Sequence, residues 1–128
     1  MVLLVEDDVF KGSHEKRALK HVYPGKILWE KDFADGMETL KNYSEKIDFI
    51  FLDMYFPLEY GEVIYPECGL KFLKEMNRLG YGGIPVIVCS TVPMQLLGHK
   101  NVLGCICYHR ELDLEQEIIR IWKEQEFI

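Results

Sequence analysis

The sequence predicts an α/β domain, a parallel β-sheet whose strands are joined by crossover helices. Short apolar runs of strand length alternate with longer mixed stretches, and within those stretches apolar residues recur every three or four positions. Carboxylates stand at the C-terminal ends of two of the runs, the edge of such a sheet where ligands bind.

Val2 to Val5 is continuous enough to be a fully buried first strand. A shorter second strand follows at Ile27 to Trp29, and a third at Phe49 to Leu52, preceded by Ile47. Val86 to Cys89 and Cys105 to Cys107 supply the fourth and fifth. Ala18, Leu19 and Val22 mark the apolar face of a first helix, and Phe33, Met37, Leu40 and Tyr43 that of a second. Leu70, Phe72, Leu73 and Met76 form a third, and the last runs from Leu114 through Ile118, Ile121 and Trp122 to Gln125. Between Ser90 and Gly104 the chain has room for one or two helical turns at most. Pro24-Gly25 closes the first helix, and Gly80, Gly82 and Gly83 before Ile84-Pro85 close the third. Ser13 stands where an N-cap would satisfy free amides. The segment from Leu58 to Cys68 follows neither period and reads as a long loop.

Fifteen Lys plus Arg against twenty-one Asp plus Glu give the 128 residues a net charge of −6. No cationic run is present to face phosphates, so direct nucleic-acid contact is not expected. No apolar stretch approaches the ~20 residues that span a bilayer. Met1 leads into an apolar run and then into Glu6, Asp7 and Asp8, which lacks the basic start and cleavage site of a secretion signal. The expectation is a single domain over residues 1–128, cytoplasmic, with reduced thiols, away from membranes, and a monomer or weak homodimer. Cys89, Cys105 and Cys107 lack metal-ligand spacing and read as core residues. Of His14, His21, His99 and His109 only the last is expected near the site, the others reading as surface or capping residues, and Trp122 and Phe127 read as core or interface anchors.

Glu6, Asp7 and Asp8 follow the first strand and Asp53 follows the third. Right-handed crossovers place those two strands side by side, which brings Asp7 and Asp53 together. Carboxylates converging in one crevice repel, and a hard divalent cation such as Mg²⁺ is the usual resolution. Ser90, with Thr91 beside it, ends the fourth strand and adds a hydroxyl suited to a phosphoryl oxygen. A cation, a carboxylate nucleophile and such a donor are nearly all that phosphoryl transfer needs.

Three segments, Val2-Leu3-Leu4-Val5-Glu6-Asp7-Asp8, Asp48-Phe49-Ile50-Phe51-Leu52-Asp53-Met54-Tyr55-Phe56-Pro57 and Ile84-Pro85-Val86-Ile87-Val88-Cys89-Ser90, resemble the receiver domain of two-component response regulators. Phe33 to Leu40 resembles that family's second helix and its entry. The likeness spans essentially the whole chain, and an acidic pair followed about 45 residues later by an aspartate with a proline four positions on is a specific pattern. The resemblance implies a flavodoxin-like three-layer α/β/α sandwich with a five-stranded parallel sheet in the order 2-1-3-4-5, here with a shortened fourth helix. It implies that Asp53 is the phospho-acceptor. Mg²⁺ would be held by Asp7, Asp53 and the main-chain carbonyl of Tyr55, with Glu6 acting through a water. Ser90 would be the hydroxyl that senses the phosphoryl group. The implied partners are a histidine kinase or phosphotransfer protein and a downstream protein of unknown identity.

Three departures qualify the pattern. Receivers end the fifth strand with a lysine that binds the phosphoryl group, and Tyr108 stands there instead. Loss of that ammonium is expected to slow phosphorylation or weaken its coupling to shape, and His109 and Arg110 lie beyond the strand end. The segment between Pro57 and Gly69 carries about eight extra residues, with Tyr60, Val63, Ile64 and Tyr65 either tucked against the domain or forming a partner surface. Thr91 to Leu103 is short, and Cys105 occupies the position usual for the switching aromatic ring. The leading expectation is therefore a signalling receiver that acts by altered protein association, not a classical enzyme. The alternative is a pseudo-receiver, a protein-binding module that works without phosphorylation. A phosphatase is disfavoured, because an acid/base aspartate two positions after the nucleophile is replaced by Tyr55.

Overall fold

A computed structural model of the chain describes residues 1–92 and 98–126. Strand β1 (Val2–Val5) leads into helix α1 (Val9–Val22), strand β2 (Ile27–Glu30), helix α2 (Phe33–Tyr43) and strand β3 (Phe49–Leu52). A short pair, β4 (Phe56–Pro57) and β5 (Ile64–Tyr65), precedes helix α3 (Cys68–Arg78), strands β6 (Val86–Ser90) and β7 (Val102–Cys107), and helix α4 (Leu114–Glu126). The five long strands form one parallel sheet in the order β2-β1-β3-β6-β7, the expected arrangement with β6 and β7 as fourth and fifth strands.

Alternation along the strands divides the core. Leu3, Val5, Ile50, Leu52, Val86 and Val88 pack toward α2 and α3, where they meet Met37, Leu40, Phe72 and Met76. Val2, Leu4, Phe49, Phe51, Ile87 and Cys89 pack toward α1 and α4. β1, β3 and β6 are buried along their whole length, which is why their sequences are nearly uninterrupted apolar runs. Glu6 continues the alternation of Val2 and Leu4, and Asp53 that of Phe49 and Phe51, so both carboxylates turn toward α1.

Three sequence expectations are corrected. Ser13 is not a cap: it lies inside α1, and the Asp8 side chain caps that helix by accepting from the amides of Phe10 and Lys11. The Leu58 to Cys68 segment is not all loop, because Ile64 and Tyr65 pair antiparallel with Pro57 and Phe56 and Cys68 opens α3. Phe56 is buried against Phe72 and anchors that hairpin, while Tyr60, Val63, Ile64 and Tyr65 are exposed on it rather than tucked in. Cys105 and Cys107 are not core residues. Ile106 takes the inward position on β7, and strand alternation turns both thiols outward, whereas Cys89 is buried as expected. The expected short helix between Thr91 and Leu103 falls partly on residues 93–97, and Phe127 on the last two, all outside the described residues. Trp122 packs edge-on against Phe49, its ring centroid 5.2 Å away, as a core anchor.

Candidate functional site

Register sets the site. Val5 pairs with Leu52 and Leu52 with Val88, so the residues that follow, Glu6, Asp53 and Cys89, emerge together at the C-terminal edge. The Asp53 amide donates to the Val5 carbonyl at 3.0 Å, and the Glu6 amide to the Glu30 carbonyl at 3.0 Å, extending the pairing by one residue. Glu6 and Asp53 are buried and Asp7 is half-buried; each offers one oxygen, and these three oxygens lie within 4.8 Å of one another. Ser90 ends β6, buried, with its Oγ accepting from the Val92 amide at 3.2 Å, while Thr91 beside it is exposed. Tyr55 is half-buried on the segment that carries Asp53.

A residue absent from the sequence reading occupies the centre. Lys11, in the first turn of α1, is only 7% exposed and reaches into the carboxylates. Its ammonium donates to Asp53 Oδ1 at 2.9 Å and to the Cys89 carbonyl at 2.9 Å, and pairs with Glu6 Oε1 at 2.8 Å. Burial pulls the ammonium down, but the carboxylates of Glu6, Asp53 and Glu15 outweigh it and hold the proton more firmly than usual. Tyr108, where a strand-end lysine was looked for, instead provides a wall: its ring centroid is 5.4 Å from the Lys11 ammonium, and its hydroxyl is 2.7 Å from His14 Nδ1. His109 and Arg110 are exposed and neither pairs with the site carboxylates.

Glu15, one turn beyond Lys11, is fully buried, and no N–H or hydroxyl donor among the described residues serves its oxygens. Its polar neighbours are the Glu6 carboxyl and the Cys89 thiol. Burial pushes both Glu6 and Glu15 above the carboxylate range, and Glu15 raises Glu6 further by charge and hydrogen bonding. α1 approaches closely because residue 12 is glycine: a Cβ there would sit 2.2 Å from the Trp29 ring. The Trp29 indole is itself pinned, donating to the Glu6 carbonyl at 2.8 Å.

The donor set fits a hard divalent cation, because acidic oxygens of this spacing with one half-open member match the oxygen-rich coordination Mg²⁺ prefers. Asp7 is pushed above its ordinary value by burial and then by the Asp53 charge. A carboxylate raised in the fold binds its proton more tightly there than in the unfolded chain, so its contribution is fullest below its ordinary value and is lost as pH rises through the shifted one. The thermal midpoint in chelator is therefore expected to be higher at pH 5 than at pH 8, with Mg²⁺ narrowing the gap. Melting curves followed by circular dichroism check this, and a gap that Mg²⁺ leaves unchanged contradicts it.

No family model matches the sequence, and no curated protein does. The fold, however, is widely shared. The chain superposes on a chain of the CheX–CheY complex with BeF3 and Mg²⁺ from Borrelia burgdorferi with a TM-score of 0.72 and 18% identity, covering 99% of this chain and 88% of that one. A two-component response regulator from Legionella pneumophila matches at 0.67 and 20% identity, covering 99% and 98% of the two chains. A response regulator receiver domain protein from Clostridium thermocellum matches at 0.67 and 16%, covering 98% and 96%. The chain has the CheY-like receiver fold. No helix among the described residues is long and apolar enough to cross a membrane.

Proposed function

We propose that this chain is a signalling receiver that accepts a phosphoryl group on Asp53 in a Mg²⁺-dependent reaction and acts by changing its association with another protein. The observation that carries the reading is the convergence of Glu6, Asp7 and Asp53, oxygens within 4.8 Å, at the strand edge of a receiver fold. In the reaction an Asp53 carboxylate oxygen attacks the phosphorus of a phosphohistidine or a small acyl phosphate. The new P–O bond forms as the bond to the leaving group breaks, and with acetyl phosphate the departing acetate takes the electron pair, so charge balances without a proton. Asp7, Asp53 and the Tyr55 carbonyl would hold the cation, with Glu6 acting through a water. Bound there, Mg²⁺ would neutralise charge between two anions that must approach. Ser90, buried at the end of β6, is the candidate donor to a phosphoryl oxygen. A histidine kinase or phosphotransfer protein is the donor class, and the cytoplasm the fitting compartment.

The test is intact-protein mass after incubation with Mg²⁺ and acetyl phosphate. The expected result is one phosphoryl adduct in the parent protein and none in Asp53→Asn; an adduct that persists in the variant overturns the assignment. The second reading, a pseudo-receiver that binds its partner without phosphorylation, is favoured by one observation. The Lys11 ammonium already pairs with Asp53 and Glu6, so part of the pocket's charge is compensated without a metal ion. No adduct under any of these conditions would select it.

A further inference from the structure

We infer that Lys11, delivered by the first turn of α1, is the cation that binds the phosphoryl group on Asp53, in place of an ammonium from the end of β7. The inference rests on the phospho-acceptor reading and assigns a binding residue within it.

A phosphoryl group on Asp53 adds three oxygens to the carboxylate whose Oδ1 already lies 2.9 Å from the Lys11 ammonium. The ammonium donates to Asp53 and to the Cys89 carbonyl and is ion-paired with Glu6 at 2.8 Å, all at the strand edge, and its three N–H groups leave one donor for a further oxygen. Exchanging the contact with Asp53 for one with a phosphoryl oxygen is a small movement of a flexible four-carbon stem, and it keeps a buried positive charge paired throughout. The Tyr108 ring lies 5.4 Å from the same ammonium, and its hydroxyl meets His14 on the same helix. A lysine at position 108 would compete for that space with Lys11, so an aromatic residue at 108 and a lysine at 11 form a matched pair. Among the described residues no other Lys or Arg pairs with Asp53.

The experiment compares phosphoryl uptake from acetyl phosphate with Mg²⁺ in the parent protein, Lys11→Met, Lys11→Gln, and the double variant Lys11→Met/Tyr108→Lys. Uptake is expected to fall at least about tenfold in both single variants, since one preorganised donor to a developing oxyanion commonly contributes that much or more. It is expected to recover in the double variant, where the strand end returns an ammonium to the site, and a merely structural role for Lys11 would give no such recovery. A second measurement needs no substitution: in parent protein labelled with ¹⁵N-lysine, the Lys11 ammonium resonance is expected to shift when BeF3 and Mg²⁺ are added. Parent-like uptake in a folded single variant, or an unmoved Lys11 resonance when BeF3 binds Asp53, overturns the assignment and leaves the phospho-acceptor reading standing. No uptake and no BeF3 binding in the parent overturns both.

Discussion

Replacing Lys11 by methionine is expected to destabilise the fold by about 3 kcal/mol at neutral pH, because it strips the partner from buried carboxylates. The methionine stem fills much of the same volume, so little of the loss comes from packing. What remains is Glu6 and Asp53 facing one another with the ammonium at 2.8 and 2.9 Å removed. The defect is electrostatic. Neutralising the partner relieves it, so Lys11→Met/Asp53→Asn is expected to be more stable than the sum of the single changes allows, as interacting neighbours are not additive. Urea unfolding of the four proteins measures this cycle. Additive single effects, or a Lys11→Met loss below about 1 kcal/mol, would show that the network carries little stability.

Much of the sheet was legible in the sequence because β1, β3 and β6 are buried on both faces, and such strands announce themselves as unbroken apolar runs. The acidic edge was legible for the same reason: once Val2 to Val5 and Phe49 to Leu52 are strands, Glu6, Asp7 and Asp53 must end them together. Lys11 and Glu15 were not found, although a signal existed. Ala18 and Leu19 identify the inward face of α1, and stepping back by turns from Leu19 reaches Glu15 and then Lys11. A lysine and a glutamate on a buried helical stripe are costly without partners, and the three acids at the adjacent strand ends were the partners. Sequence proximity to Tyr108 points to His109 and Arg110, whereas the fold brings the first turn of α1, with Lys11, to the strand edge. The capping error at Ser13 has a related origin. Asp8 reads in the sequence as one more acid of the cluster, and its spacing to the amides of Phe10 and Lys11 marks the true start of the helix. Cys105 and Cys107 were misplaced because an outer strand has one open face, which a short apolar run does not disclose.

Gly69→Ala is expected to cost about 2 kcal/mol and to move Asp53, although the same exchange inside a helix is ordinarily favourable by up to about 1 kcal/mol. Gly69 lies in the first turn of α3, with its amide donating to the Met54 carbonyl at 3.0 Å. A Cβ at that position would sit 2.3 Å from the Asp53 carbonyl oxygen and 2.8 Å from Met54 Cα. Both are backbone atoms with no rotamer to escape into, so either α3 withdraws from the core or the segment after β3 shifts. The second outcome reaches the site directly, since the displaced peptide carries the Asp53 side chain that Lys11 holds and leads to the Tyr55 carbonyl proposed as a cation ligand. Gly83→Ala is the control, because nothing lies within 4 Å of a Cβ there. Its stability is expected to stay within about 0.5 kcal/mol of the parent. Denaturant unfolding of the two variants, with Mg²⁺ titrations followed by Trp29 fluorescence, reads both effects. Trp29 is the suitable reporter because its indole is bonded to the Glu6 carbonyl at 2.8 Å. If Gly69→Ala matches Gly83→Ala in stability and keeps the parent's Mg²⁺ response, the close contact of α3 with the Asp53 peptide does not position the site.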